Sequence, residues 1–268
     1  MKTKFSVVIP AYNCESVIVD ALDSILSQTK REYIGEIIVV NDGSKDNTKA
    51  VLEEYAASKK DEIKIYIINK ENGGVSAARN DGVKKASFEW IAFLDSDDEW
   101  CPDKIERQAE IIEKIGCDQI DCLGGSFNGD EFSILGKKYV GFFQANIKQI
   151  CIRNFPQPST AIIKKKVFDS LNGFDETARY AEDGLLFMQV CAKYNMYYDT
   201  KQVIWFGHGK RGFGVSGLSG NVKAMHQGNI RNIKFLKERK LISTAFYLFL
   251  RVFYQIKYVR RVLLSRVR

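Results

Sequence analysis

Four short apolar runs, each closed by a polar cluster and three of them leading into a helix-like segment, constrain the fold of this chain more than any other feature. Phe5–Ile9 runs into Pro10-Ala11-Tyr12-Asn13, and then apolar residues recur near Val17, Ala21, Leu22, Ile25 and Leu26, the spacing of a helix face. Glu36–Val40 ends at Asn41-Asp42-Gly43-Ser44, and Asp46-Asn47-Thr48 opens a helix predicted to reach about Ser58. Ile63–Ile68 ends at Asn69 and the Asn72-Gly73-Gly74 turn, with a helix predicted over Val75–Lys85. Trp90–Leu94 is the fourth run.

Strands that alternate with helices of this length argue for a mostly parallel sheet covered on both faces. In open sheets of that kind, ligands bind beyond the carboxyl ends of the strands. Tyr12 and Asn13, Asp42, Asn69 with Asn72, and Asp95 with Asp97 all fall at that edge. One such cluster is ordinary turn chemistry, whereas four on one edge read as a site.

The fourth run ends in Asp95-Ser96-Asp97-Asp98, preceding Pro102 at the predicted start of a helix. Three crowded carboxylates repel one another unless a cation joins them, and hard oxygen ligands suit Mg²⁺ or Mn²⁺. The competing reading is an acidic loop capping the next helix. A dinucleotide fold would need a glycine-rich first turn, but Pro10–Cys14 contains no glycine, and no Walker-type run is present. Phosphate charge would then be met by a metal, a basic side chain or a helix amino terminus.

Val7-Val-Ile-Pro-Ala-Tyr-Asn13, Val39-Val-Asn-Asp-Gly-Ser44, Asn72-Gly-Gly-Val-Ser-Ala-Ala-Arg-Asn80, Phe93-Leu-Asp-Ser-Asp-Asp98 and Asn172-Gly-Phe-Asp-Glu176 with Ala181-Glu-Asp183 resemble, in the same order, the family 2 glycosyltransferases. The resemblance spans roughly residues 5–190 and implies an α/β GT-A fold, with a nucleotide-binding half and an acceptor-binding half around one sheet. It implies sugar transfer with inversion and a divalent metal, Mn²⁺ or Mg²⁺. Pro10, Ala11 and Tyr12 would wall a base pocket, Asp42 would read the base, and Arg79 would lie near base or diphosphate. Asp95 would bind ribose and Asp97 the metal. Asn13, Asn72 and Ser96 complete the expected donor set. Taken singly, Tyr12 is a packed loop aromatic, Asp42 a turn residue bonding its own backbone, and Arg79 a solvated helix residue.

Breaking the bond from the anomeric carbon to the diphosphate leaves negative charge that a metal would stabilise, and the acceptor hydroxyl must lose a proton. Glu182-Asp183 is the candidate carboxylate pair, ahead of a helical pattern over Leu185–Ala192. The resemblance favours Asp183 as base, with Glu182 orienting acceptor or base; the ordinary alternative is an amino-terminal cap. His208, in a glycine-rich stretch over Phe206–Gly220, is a candidate third metal ligand with Asp95 and Asp97. That stretch also reads as a loop closing over the diphosphate, or as a plain connector. His226 reads as a solvated helix residue.

Charge is strongly polarised. Residues 201–268 hold 15 Lys and Arg against the single acid Glu238, a formal +14, whereas residues 1–200 hold 25 against 32, or −7, within a total of +7. Leu241–Leu250 is apolar but is broken by Arg251, too short for a spanning helix, and basic residues then interleave with apolar ones. Residues 241–268 are therefore predicted to lie on the anionic inner membrane surface; packing on the enzyme or on a second subunit is the alternative. Nucleic acid is not expected as a partner, since the aromatics cluster with aliphatics and no recognised motif accompanies the charge. A homo-oligomer is compatible with the sequence.

The predicted organisation is a GT-A domain over 1–215, nucleotide-sugar-binding to about 100 and acceptor-binding beyond, followed by a basic, partly apolar helical extension over 216–268. Phe5–Ile9 comes too early for a secretory signal, and the six cysteines lack paired zinc spacing, as in reduced cytosolic proteins. The expected function is transfer of a hexose or N-acetylhexosamine, from UDP by preference, to a lipid-linked saccharide acceptor in cell-surface polysaccharide synthesis such as capsule or lipopolysaccharide. A sugar nucleotidyltransferase, which should carry a glycine-rich amino-terminal loop absent here, and a non-catalytic nucleotide-sugar-binding subunit are the rival readings.

Overall fold

The computed structural model describes residues 3–127, 129, 131–206 and 220–266. The amino-terminal half alternates strand and helix: β1 (Phe5–Ala11), α1 (Ile18–Leu26), β2 (Ile34–Asp42), α2 (Thr48–Ser58), β3 (Ile65–Lys70), α3 (Val75–Lys85) and β4 (Trp90–Phe93). These four strands are parallel, with Val8 opposite both Ile38 and Phe93. β1 and β2 run further than the apolar pattern indicated, so Pro10, Ala11, Asn41 and Asp42 are strand residues. Pro10 is tolerated because Val8 O already accepts from Leu94 N at the end of β4. Residues two apart on a strand address the same neighbour, so the missing Pro10 N–H faces the side where β4 has finished.

The second half contributes β5 (Glu99–Trp100), α4 (Lys104–Ile115), β6 (Cys122–Ser126), the hairpin of β7 (Phe132–Ile134) and β8 (Lys137–Tyr139), β9 (Phe142–Gln144), α5 (Ile147–Ile152), β10 (Ile162–Lys164) and α6 (Lys165–Ser170). Then follow α7 (Glu182–Lys193), β11 (Met196–Gln202), β12 (Ile204–Trp205), α8 (Val222–Glu238) and α9 (Thr244–Arg266). The eight-stranded sheet has the order β3-β2-β1-β4-β10-β6-β11-β9. β10 and β9 run against the others, so the sheet is mixed but mostly parallel.

Alternation along β1 divides the core. Val7 and Ile9 pack on α1, α2 and α4 through residues such as Leu22, Leu52 and Ile112. Val8 joins α3, α7, α8 and α9 through residues such as Val83, Phe187, Leu236 and Leu250. Burying each such side chain contributes about 2 kcal/mol, so the two carboxyl-terminal helices are anchored to the sheet's own core. Tyr254 of α9 is buried, and its hydroxyl donates to Cys151 O at 2.7 Å. Another face of α9 exposes Phe249, Val252, Ile256, Val259 and Leu263, spaced by three and four residues. Among the described residues no helix is long and apolar enough to cross a membrane.

Candidate active site

At the carboxyl edge of the sheet, the first two loops are tied together by Asn13. Its N–H donates to Ser44 Oγ at 3.0 Å, and its Oδ1 accepts from Lys45 N at 2.8 Å. Asn13 adopts φ +48, a left-handed backbone that asparagine tolerates better than most residues. Tyr12 is 48% exposed, so the packed-aromatic alternative is overturned.

Asp42 is buried, but it does not bond the backbone of its own turn. Its two carboxylate oxygens accept from Gly73 N and Gly74 N, each at 2.8 Å, and its carbonyl accepts from Asn72 Nδ2 at 2.9 Å. Asp42 thus locks the Asn72-Gly73-Gly74 turn in front of α3, where Gly74 needs φ +89. Asn41 donates from Nδ2 to Asn69 Oδ1 at 2.8 Å, joining β2 to β3.

The acidic cluster after β4 is divided among three environments. Asp98 is buried and accepts from Ser159 Oγ at 2.6 Å, while the same Ser159 oxygen accepts from Asp95 N at 3.0 Å. Asp98 is therefore a structural residue, and Ser159, which sequence reasoning missed, fixes the Asp95 backbone. Asp97 is exposed, and Ser96 is half-buried and reaches the Cys14 thiol. Asp95 accepts from Arg79 Nη2 at 2.6 Å.

Arg79 is buried on α3, not solvated, with its guanidinium 5.1 Å from the Phe174 ring centroid. Its Nη1 lies 3.5 Å from Glu182 Oε1. Burial disfavours the charge, yet Asp95 and Glu182 outweigh it and raise the Arg79 pKa. The next residue, Asn80, holds the Asn172–Glu176 segment: its Oδ1 accepts from Phe174 N at 2.9 Å and its Nδ2 donates to Phe174 O at 2.9 Å. Gly173, at φ +66, is required there, since a Cβ would stand 2.5 Å from Asn80 Oδ1.

Glu182 and Asp183 occupy the first turn of α7, where the helix amino terminus favours carboxylates. Ala181 before them takes φ +57, an uncommon backbone for a residue with a Cβ. α8 holds it: Asn232 Nδ2 donates to Ala181 O at 2.7 Å, and Gly228 lies so close to Tyr180 that a Cβ would meet its carbonyl at 2.6 Å. Burial pushes the Glu182 carboxyl up to about 7, with the Asp183 charge adding and Arg79 opposing. Burial also raises Asp183, against the Gly184 N–H, which donates to Asp183 Oδ1 at 2.7 Å, and against Arg79.

A cavity of about 410 Å³ brings together Arg79, Asp95, Glu182 and Asp183. Pro10, Ala11, Tyr12, Asn13, Asp42, Asn72, Ser96 and Asp97 are not in its wall; they belong to the sheet edge that Arg79 and Asp95 join to it. His208 lies outside the described residues, as does most of the glycine-rich stretch. Among the described residues no group of three or more His, Cys, Asp or Glu is arranged to hold a metal. Further wall residues were missed from sequence, among them Arg153–Pro158, Arg179, Tyr180, and His226, Tyr254, Lys257 and Arg261 from α8 and α9. His226 is not the solvated side chain expected. It stacks on Tyr258 with centroids 4.5 Å apart, and burial lowers its pKa.

The Glycosyl transferase family 2 model matches residues 6–171. A Rickettsia felis protein described as an uncharacterized glycosyltransferase is 33% identical over 191 residues, 71% of this chain and 31% of that protein. The putative teichuronic acid biosynthesis glycosyltransferase TuaG of Bacillus subtilis is 38% identical over 116 residues, 43% of this chain and 44% of TuaG. Among solved structures, S. aureus TarS in complex with UDP has a TM-score of 0.65 at 23% identity, covering 86% of this chain and 65% of that one. The mannosyltransferase PcManGT from Pyrobaculum calidifontis, in complex with GDP-Man and Mn²⁺, has a TM-score of 0.69 at 17% identity, covering 89% and 65%.

With a family match over more than half its length and this sheet order, the chain belongs to glycosyl transferase family 2 and has the GT-A fold. It spans 31% of the Rickettsia felis relative's length and 62% of a Rickettsia typhi relative's.

Proposed function

We propose that this chain is an inverting, metal-dependent glycosyltransferase that takes a nucleotide-diphosphate sugar, UDP-linked by preference, and passes a hexose or N-acetylhexosamine to a saccharide acceptor. The observation that carries the reading is Arg79, which spans from Asp95 at the donor edge to Glu182 in the acidic pair. In this reading Asp183 accepts the acceptor hydroxyl proton as that oxygen bonds the anomeric carbon from the face opposite the diphosphate. The carbon–oxygen bond to the diphosphate breaks, and its electron pair leaves with the nucleotide. Glu182, shared with Arg79, holds the acceptor and the base in register.

Asp97 is exposed and Asp95 half-buried at the same strand end, an oxygen-only pair that suits Mg²⁺ or Mn²⁺ when waters and diphosphate oxygens complete the shell. These two residues, with His208 as a further candidate, would hold the ion, whose contribution is to stabilise charge developing on the leaving diphosphate. Nucleotide-sugar use is supported by TarS, solved with UDP and with UDP-GlcNAc, and by PcManGT, solved with GDP-Man and Mn²⁺.

A lipid-linked acceptor at the inner membrane face, as in cell-surface polysaccharide synthesis, is supported by the exposed apolar stripe of α9 and the +14 charge of residues 201–268. Sedimentation with anionic vesicles should retain the full chain, and Val252→Asp with Ile256→Asp should release it; unchanged retention would remove the membrane from the account. For the reaction itself, a calorimetric screen of UDP, GDP, CDP and dTDP sugars with Mn²⁺, Mg²⁺ or EDTA is expected to give metal-dependent binding of a UDP sugar. Binding of none would overturn the reading.

A further inference from the structure

The three carboxylates that line the cavity, Asp95, Glu182 and Asp183, all act on Arg79. A second group of cations lines the same cavity: Arg153 after α5, and Lys257 and Arg261 one turn apart on α9. Lys257 Nζ donates to Ile152 O at 3.2 Å and stands 5.4 Å from the Tyr254 ring centroid. Arg153 donates to Ser133 O and lies 4.2 Å from the Phe132 centroid. Among the described residues, no carboxylate is within ion-pair distance of Arg153 or Lys257. Burial, then the charges of Arg261 and Arg153, push Lys257 down to about 8. Arg153 and Lys257, half-buried in this wall, and Arg261 at its exposed rim repel one another, and an anion placed among them removes that cost.

This cluster also adjoins the acidic pair. Asn154, next to Arg153, packs so tightly on Gly184 that a Cβ there would meet its Oδ1 and Nδ2 at 2.8 Å. Gly184 directly follows Asp183. Arg153 is therefore carried on a segment that abuts the proposed base rather than on the donor edge, and Lys257 and Arg261 share its cavity.

We infer that Arg153, Lys257 and Arg261 form a phosphate subsite of the acceptor cavity, so that the acceptor carries a phosphate or diphosphate held by α9 while its hydroxyl is presented to Asp183. The inference rests on the proposed transferase reading and names the acceptor's chemistry. Lys and Arg donors brought to one cavity wall from the end of α5 and from α9 match tetrahedral phosphate oxygens. Because the outer face of the same α9 is the exposed apolar stripe, a phosphate at the head of a lipid chain fits the position as well as one on a soluble saccharide.

The test titrates the full chain, saturated with UDP and Mg²⁺ so that the donor site is filled, with inorganic phosphate, a hexose 1-phosphate and farnesyl phosphate. Phosphate is expected to bind beside UDP, and Lys257→Gln and Arg261→Gln each to weaken it by about tenfold or more. Lys257→Arg should retain it, and UDP affinity should not change in any variant. Arg261 is exposed, so its variant leaves the packing of α9 intact. Tighter binding of farnesyl phosphate than of hexose 1-phosphate would assign the phosphate to a lipid carrier, and the reverse to a phosphorylated saccharide; each supports the subsite. Normal UDP binding with no phosphate binding, or phosphate binding indifferent to both glutamine variants, would overturn it. Failure of UDP itself to bind would instead remove the transferase reading.

Discussion

Arg79 Nη2 donates to Asp95 Oδ1 at 2.6 Å, while Nη1 of the same guanidinium lies 3.5 Å from Glu182 Oε1. One buried side chain therefore joins the end of β4 to the start of α7, elements separated by most of the second half of the sheet. The end of β4 and the acidic pair cannot shift independently while that bridge holds.

Arg79→Lys should break the bridge, because an ammonium cannot span two carboxylates in the way a planar fork does. Lysine keeps the charge but reaches only one carboxylate, and leaving the other without its partner costs about 1–3 kcal/mol. A lowered Tm together with weaker donor binding is expected in thermal denaturation and calorimetry; wild-type values for both would show that the bridge is incidental.

The raised Glu182 pKa has a consequence for stability. In the unfolded chain this carboxyl loses its proton near 4.5, and in the folded chain near 7, so between those values the native state binds more protons. Stability must therefore fall as pH rises from about 5 to about 8. Thermal denaturation across that range should show Tm declining for wild type and a flatter profile for Glu182→Gln, and an equally steep profile in the variant would refute the assignment. In the proposed mechanism transfer should rise as pH climbs through about 7, because Glu182 must be ionised to pair with Arg79 and hold the acceptor in register with Asp183.

The alternation of β1 to β4 with α1 to α3 was legible because apolar periodicity and turn residues are local signals. The partners of the polar residues were not. Asp42 meets Gly73 and Gly74 about thirty positions away, and α3 reads as a polar helix although Arg79 and Asn80 are buried in it. β10 escaped notice because three residues, Ile162–Lys164, leave no period to read. In α9, apolar residues lie on both faces, so the pattern could not say which face packs; Leu250 and Tyr254 turn inward, and Val252 and Ile256 outward. The acidic pair was legible as a candidate, but its wall of α8 and α9 residues depends on long-range packing.

Gly228→Val should separate the two halves of the account. Its side chain would strike Tyr180 O, lift α8 from Tyr180 and Ala181, and disturb the entry to Glu182-Asp183. Donor binding should persist while transfer falls at least tenfold, read by calorimetry and a radiolabelled-sugar assay. Loss of donor binding with a normal Tm would contradict the role given to α8.

If donor capture and proton removal reside in different carboxylates, one paired measurement separates them. Donor affinity with Mn²⁺ and the transfer rate would be measured side by side for Asp97→Ala and Asp183→Asn. Asp97→Ala should lose metal-dependent binding of the nucleotide sugar, whereas Asp183→Asn should bind donor and metal as wild type does and lose transfer by about 10²-fold or more. Equal loss of donor affinity in both variants, or undiminished transfer by Asp183→Asn, would contradict the account.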